Sequence, residues 1–414
     1  MCLLKLAPSA SILACVAAVC FVAAVTPAAA GRTAATWKIG TPITTYWAGP
    51  PMTEATARQM AEGGWNLVWC RADELDTAQQ FGLRALLHDS LINPQSLEDP
   101  AKRQELQALL ARVKNHPALY AYFLTDEPNA SSFPAWGKLV AYLREQDPAH
   151  LAYLNLFPTY ASNEQLGTHG DTVTAYAQYL KHYVEVVRPG LISYDHYHFT
   201  ANGDGDQYFL DLGMIRQKAL EVGVPFLNIV QACTWTPAMR VPTPDELTWL
   251  VYTSLAYGAQ GISYYVYSHP GHEGGMALAG GAPTPLYHAA SQLNREFVAV
   301  ASQLQPLRSL GAYHVGNVPR GAESSPTDAP VTVEPPVPAA GLLVGLFGRQ
   351  GLATHAVIVN LSYKEAVSAT LAAPGRARVF QCTSGRWQPS GRGKRAVLEL
   401  RPGGGALVRW ARSR

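Results

Sequence analysis

Eight short apolar runs, at 43–47, 66–70, 84–88, 119–125, 151–157, 191–197, 225–231 and 261–267, recur through the first two thirds of the chain. Segments with helical period separate them, such as AKRQELQALLARVK at 101–114 and the stretch 171–187. Thr243-Pro244-Asp245-Glu246 reads as a helix start, with a Thr cap, Pro at the first helical position and Glu placed for a capping box. Thr284-Pro285 opens a last long helix in the same manner. Eight strands alternating with helices over about 270 residues match a (β/α)8 TIM barrel, an α/β fold. An open doubly wound sheet shares the alternation. It is disfavoured because Tyr46-Trp47-Ala48-Gly49-Pro50, after the first strand, lacks the spacing of a dinucleotide loop.

After about residue 310 the pattern changes. Residues 316–341 are rich in Pro, Gly, Ser and Ala, and short alternating runs follow at 342–347, 356–361, 377–381, 396–400 and 406–410. A small C-terminal antiparallel β-sandwich is expected over 311–414, behind a barrel at 31–310. The first 30 residues read as an export signal: Lys5, an apolar stretch from Ser11 to Val25, then Ala28-Ala29-Ala30 at the cleavage positions. The expected location is therefore secreted or periplasmic. An uncleaved anchor is the competing reading, since the stretch approaches the ~20 residues that span a bilayer. Cys15 gives only a faint lipoprotein signal, because the apolar run continues past it.

Composition narrows the function. With 32 Lys and Arg against 30 Asp and Glu, the balance makes no case for nucleic acid or an anionic membrane. Outside the leader only Cys70, Cys233 and Cys382 remain, which is no disulfide framework. The 9 Trp and 20 Tyr are a generous supply.

In such barrels the site lies at the C-terminal ends of the strands. Those ends gather Trp47, Trp69, Arg71, Asp126, Glu127, Asn155, Asp195, His196, Tyr197, Gln231, Trp235, Tyr265 and Tyr267, while the strand middles are mostly apolar. Alternation turns Phe123, Thr125 and Glu127 to one face, with Asp126 outward or toward a neighbouring loop. A Glu127 carboxyl walled by Phe123 and tyrosines is desolvated, so its pKa rises toward the range of a general acid. The competing view has Asp126 and Glu127 merely favouring the next helix start. The aromatic residues suit the apolar C–H faces of sugar rings, although core packing explains each one singly as well. His196 and His198, with Asp195 and His269, lack nameable third and fourth ligands, so no metal and no cofactor is expected. No G-x-S-x-G elbow occurs, and Cys233 has no identifiable base.

HPALYAYFLTDEPN at 116–129 resembles the fourth strand of clan A (β/α)8 glycoside hydrolases, whose Asn-Glu-Pro-like motif carries the acid/base. Asp126 stands where that motif has Asn. YDHYHF at 194–199 and YGAQGISYYVYS at 257–268 are similar to the clan's sixth and eighth strand ends. The resemblance spans about residues 37–310. It implies an enzyme cleaving O-glycosidic bonds in an oligo- or polysaccharide, with Glu127 as acid and carbohydrate as partner. One departure stands out: the clan's strand-seven nucleophile falls on Gln231 in VPFLNIVQACTW.

Three readings stay open. Asp195 is the second carboxylate, where strands two apart favour the wide spacing of about 6.5–9.5 Å and inversion over the about 5–5.5 Å of retention. Alternatively the substrate's own group attacks, oriented by Gln231 or Asp195. Or the barrel is a non-catalytic carbohydrate-binding protein. Asp195 paired to Arg71 or a His, and Gln231 holding a loop, are the structural counterparts. A lyase acting on acidic polysaccharide is disfavoured, since Arg71 stands without a cluster of bases. The loop 268–281, without Lys or Arg, is a poor phosphate cradle and reads as a lid or a plain surface loop.

Overall fold

The structure is a computed structural model and describes residues 37–334 and 337–411; the export signal expected at 1–30 lies outside the described residues. Eight parallel strands form the first sheet: β1 (Ile43–Trp47), β2 (Leu67–Cys70), β3 (Arg84–Leu87), β4 (Leu119–Thr125), β5 (Leu151–Leu156), β6 (Ile192–His196), β7 (Phe226–Gln231) and β8 (Gly261–Tyr265). Their order is β1-β8-β7-β6-β5-β4-β3-β2. The barrel closes between β1 and β2, where Asn66 N donates to Thr44 O at 3.0 Å and Trp69 Nε1 donates to Tyr46 O at 2.8 Å. Each strand lies within a residue or two of the run that announces it, because buried parallel strands are short, apolar and bounded by turns.

Inward-facing residues fill the barrel. Ile43, Leu67, Ala121, Leu151, Leu227 and Ile229 form one apolar cluster. Toward the mouth this filling gives way to Trp47, Trp69, Phe123 and Tyr265. A larger core lies between the strands and the surrounding helices.

Three helices matter below: α1 (Tyr208–Val222), α2 (Pro244–Tyr257) and α3 (Pro285–Leu304). Thr243 and Glu246 make the full capping box at the start of α2, and the Thr284 side chain caps α3. Every residue of α2 from Glu246 to Tyr257 is buried. A helix apolar all round needs cover on all sides, and the C-terminal region provides the outer cover.

That region begins with β9 (Arg308–Val315), just behind α3. It continues through β10 (Leu342–Arg349), β11 (Leu352–Asn360), β12 (Val367–Ala372), β13 (Ala377–Gln381), β14 (Arg386–Pro389), β15 (Arg395–Leu400) and β16 (Gly405–Trp410). A seven-stranded sheet built on β9-β10-β11-β16-β13-β14 faces a three-stranded sheet containing β12 and β15. Between them lies a separate core of Leu342, Ile358, Leu371, Leu398, Val408 and Trp410. Gly345 of β10 meets α2 so closely that a Cβ there would sit 2.1 Å from Ala256 O. β9, β12 and β14 escape a reading of alternation because their polar and small residues blur the period.

Candidate active site

β4 does not end as plain alternation predicts. The register against β5 slips between Phe123 and Thr125, and Glu127 sits in the left-handed region at φ 42°. Its N–H still reaches Asn155 O at 3.0 Å, so the chain stays tied to β5. The irregularity brings both acids to the mouth. Asp126, expected outward or toward a loop, instead presents its carboxyl to Asn155.

Asn155 is the hub. Its Nδ2 donates to Asp126 Oδ1 at 3.1 Å and to Asp195 Oδ1 at 2.7 Å. Ser193 Oγ donates to Asn155 Oδ1 at 2.9 Å. With that proton committed, the Tyr153 hydroxyl donates to Ser193 Oγ at 2.7 Å. A chain of donors from the barrel interior thus ends on two carboxylates. Tyr153 and Ser193 do not stand at strand ends and escape a search confined to them. Inward parity with Asn155 and Asp195 is the signal that finds them.

Glu127 completes the group, its carboxyl hydrogen-bonded to that of Asp195. Burial, then the Asp126 charge, pushes Glu127 up to about 7, opposed by the bond to Asp195. Asp195 is 2% exposed, and burial followed by the charges of Glu127 and Asp126 holds it well above the usual carboxylate range. Two carboxyls in contact cannot both ionise, so the pair keeps a shared proton near neutrality.

Aromatic rings line the mouth. Trp47 lies 5.1 Å from Trp69 and 5.5 Å from Phe123, centroid to centroid. Tyr265 is the register partner of Trp47 on β8, and beyond it Tyr197 lies 4.8 Å from Trp235 and 5.1 Å from Tyr265. Trp235 is 38% exposed and stacks on His272 at 6.1 Å. His272 also bonds the Tyr265 hydroxyl at 3.1 Å, which joins the loop after β8 to these rings.

Four other strand-end residues have different settings. Gln231 is fully buried. Its Oε1 accepts from Phe199 N at 2.8 Å, and its Nε2 donates to Phe199 O at 3.0 Å and to Arg240 O at 2.8 Å. It holds the loops after β6 and β7 together. His196 faces away from the barrel interior and bonds Asp211 of α1 at 3.0 Å. Tyr267 is packed against Trp65 and donates to Gln59 Oε1 at 2.6 Å. Arg71 is exposed at the β2 side and pairs with Asp73 at 3.3 Å and Glu74 at 3.5 Å, not with Asp195. Burial pushes the Cys70 and Cys233 thiols up to about 12, so neither is a ready nucleophile.

A closed parallel barrel with paired carboxyls in an aromatic-lined mouth, followed by a β-sandwich, defines the architectural class. Solved glycosidases share that fold. A β-galactosidase from Bacillus circulans sp. alkalophilus superposes with a TM-score of 0.59 at 9% identity, over 90% of this chain and 99% of that one. A family 39 glycoside hydrolase from the gut symbiont Bacteroides cellulosilyticus WH2 gives 0.50 at 11%, over 89% and 80%. At these identities the likeness is one of fold. No protein-family model matches the chain, and no curated protein matches it in sequence.

Proposed function

We propose that this chain is an exported glycoside hydrolase that cleaves O-glycosidic bonds in an oligo- or polysaccharide, with Glu127 as acid and Asp195 as second carboxylate. The observation that carries this reading is the Glu127–Asp195 contact, held by Asn155 in a mouth whose lining suits sugar rings. Substrate entry separates the pair and leaves the shared proton on Glu127, whose O–H meets the glycosidic oxygen in place of Asp195. The proton passes to that oxygen as its bond to the anomeric carbon breaks. Asp195, now ionised and aligned by Asn155, gives an electron pair to the anomeric carbon and forms a glycosyl ester. Water then attacks that carbon, its proton returns to Glu127, and the ester bond to Asp195 breaks. Carboxyls in contact belong with the close spacing of retaining enzymes, about 5–5.5 Å, not with a gap wide enough for an attacking water.

The test is hydrolysis of a panel of aryl glycosides and polysaccharides by the parent, Glu127→Gln and Asp195→Asn, with the first-formed anomer read by NMR. Each variant loses about 10²–10⁴-fold in kcat, and the first product keeps its configuration. Gln231, at the strand end where the clan has its nucleophile, favours a second reading: a carbohydrate-binding protein without hydrolysis. Equal inactivity of all three proteins with retained oligosaccharide binding selects it.

A further inference from the structure

The near-neutral balance of the whole chain hides a strong asymmetry. From Arg376 to Arg414 there are ten Lys and Arg and a single acid, Glu399. Part of this excess is concentrated on one face of the seven-stranded sheet. Arg378 of β13 and Arg409 of β16 are register partners, and Arg409 is in turn opposite His355 of β11. Like charges directly opposed on neighbouring strands destabilise a sheet. No counter-charge offsets the Arg378–Arg409 pair: among the described residues no carboxylate pairs with Arg376, Arg378 or Arg409. The Arg409 guanidinium is fixed over the Trp387 ring at 4.3 Å from its centroid. Beside it a depression of about 460 Å³ is bounded by Arg376, Arg378, Arg409, Trp410 and Ala411.

We propose that this face of the sandwich is a docking surface for an anionic polysaccharide, one carrying carboxylate or sulfate groups on its sugar units. The choice of polysaccharide rests on the glycosidase-like reading above. The Arg forks match planar or tetrahedral oxyanions bidentately. The depression admits one charged sugar unit, whereas a bilayer or duplex calls for a broad basic field. The position fits as well. His355 pairs with Phe347, and Phe347 packs by Gly258, just past the C-terminal end of α2 and on the barrel face opposite the mouth. A polymer held there leaves the mouth open to act elsewhere along the same material.

Binding of the full chain to immobilised polygalacturonate and to dextran sulfate, at low ionic strength, tests this, with neutral dextran, duplex DNA and phosphatidylglycerol vesicles alongside. The two anionic polymers distinguish carboxylate from sulfate as the recognised group. Arg378→Gln/Arg409→Gln weakens polysaccharide binding about tenfold or more and leaves aryl-glycoside hydrolysis and Tm unreduced. Arg392→Gln/Lys394→Gln removes the same charge from an exposed turn and changes binding less than threefold. The proposal is overturned if neither anionic polymer binds, if neutral dextran binds equally, if DNA or vesicles bind more tightly, or if both double variants lose affinity alike. Binding that is lost in the first double variant, in a parent that hydrolyses nothing, removes the enzymatic reading and leaves the docking surface standing.

Discussion

The Glu127 carboxyl is hydrogen-bonded to that of Asp195, while Asp195 Oδ2 meets no N–H or O–H donor among the described residues. One proton between the two side chains accounts for both facts. It also ties the chemistry to pH through a pair rather than a single group.

The Asp126 charge helps to raise Glu127. Removing that charge lowers the pKa, so the acid loses its proton at a lower pH. In a pH profile of kcat/KM, Asp126→Asn moves the alkaline limb down from near 7 by roughly half a unit to one unit. An unchanged or raised limb means that Glu127 is not the group being titrated.

Stability follows the same linkage. Glu127 binds its proton more tightly in the folded chain, at about 7 against the ordinary 4.5. Below about 4.5 both states are protonated and folding carries no ionisation penalty. As pH rises through the window to 7 the unfolded chain ionises first, and stability falls. Glu127→Gln therefore matches the parent near pH 4 and exceeds it near pH 8 by about 1–2 kcal/mol, after discounting for partial exposure. Urea midpoints at the two pH values measure this.

In the proposed reaction Asn155 aligns Asp195 without taking part in bond making. Asn155→Ala leaves buried oxygens of Asp195 and Ser193 short of partners, costing about 1–3 kcal/mol of stability. It lowers kcat about 10–100-fold with KM little changed. Steady-state kinetics on a soluble glycoside, beside a denaturation curve, separates the two effects.

Gln231→Glu, which would restore an acid at the strand end, gives no gain in activity. The new carboxylate would face Phe199 O and Arg240 O, the carbonyls that now accept from the amide. The variant loses about 2–4 kcal/mol, read by thermal or urea denaturation. A rise in turnover would instead assign the site a missing nucleophile.

Tyr363, between β11 and β12, donates to Asp204 Oδ2 at 2.5 Å in the loop that follows β6. Asp204 also lies 3.6 Å from Arg240. The sandwich thus braces the loops that Gln231 ties together below. Tyr363→Phe raises KM several-fold for an oligosaccharide and leaves an aryl monosaccharide nearly untouched. Equal effects on both substrates mean that the brace does not reach the outer mouth.

The barrel was legible because its signal is periodic: eight apolar runs and capped helices such as the one begun at Thr243 leave little choice of fold. Glu127, Asn155 and Asp195 were legible as strand ends of inward parity. Position at a strand end fixes a height, however, and not a direction. Tyr267 has already turned into the outer core, and His196 is claimed by Asp211, 15 residues further on, a contact that no local pattern announces. Gln231 kept inward parity but was taken by carbonyls on two later loops. The slip in β4 came from backbone geometry, and it brought Asp126 in beside Glu127.

The helix Pro244–Tyr257, sealed on every side, bears on how the molecule could be divided. Cutting away everything after the barrel would uncover Trp249, Tyr252 and Ala256 together, along a contiguous greasy strip. A shortened chain would precipitate or cling to chaperones before it could act. Heating the intact one should give a single cooperative melt, with the sandwich an integral wall of the molecule and not an appendage.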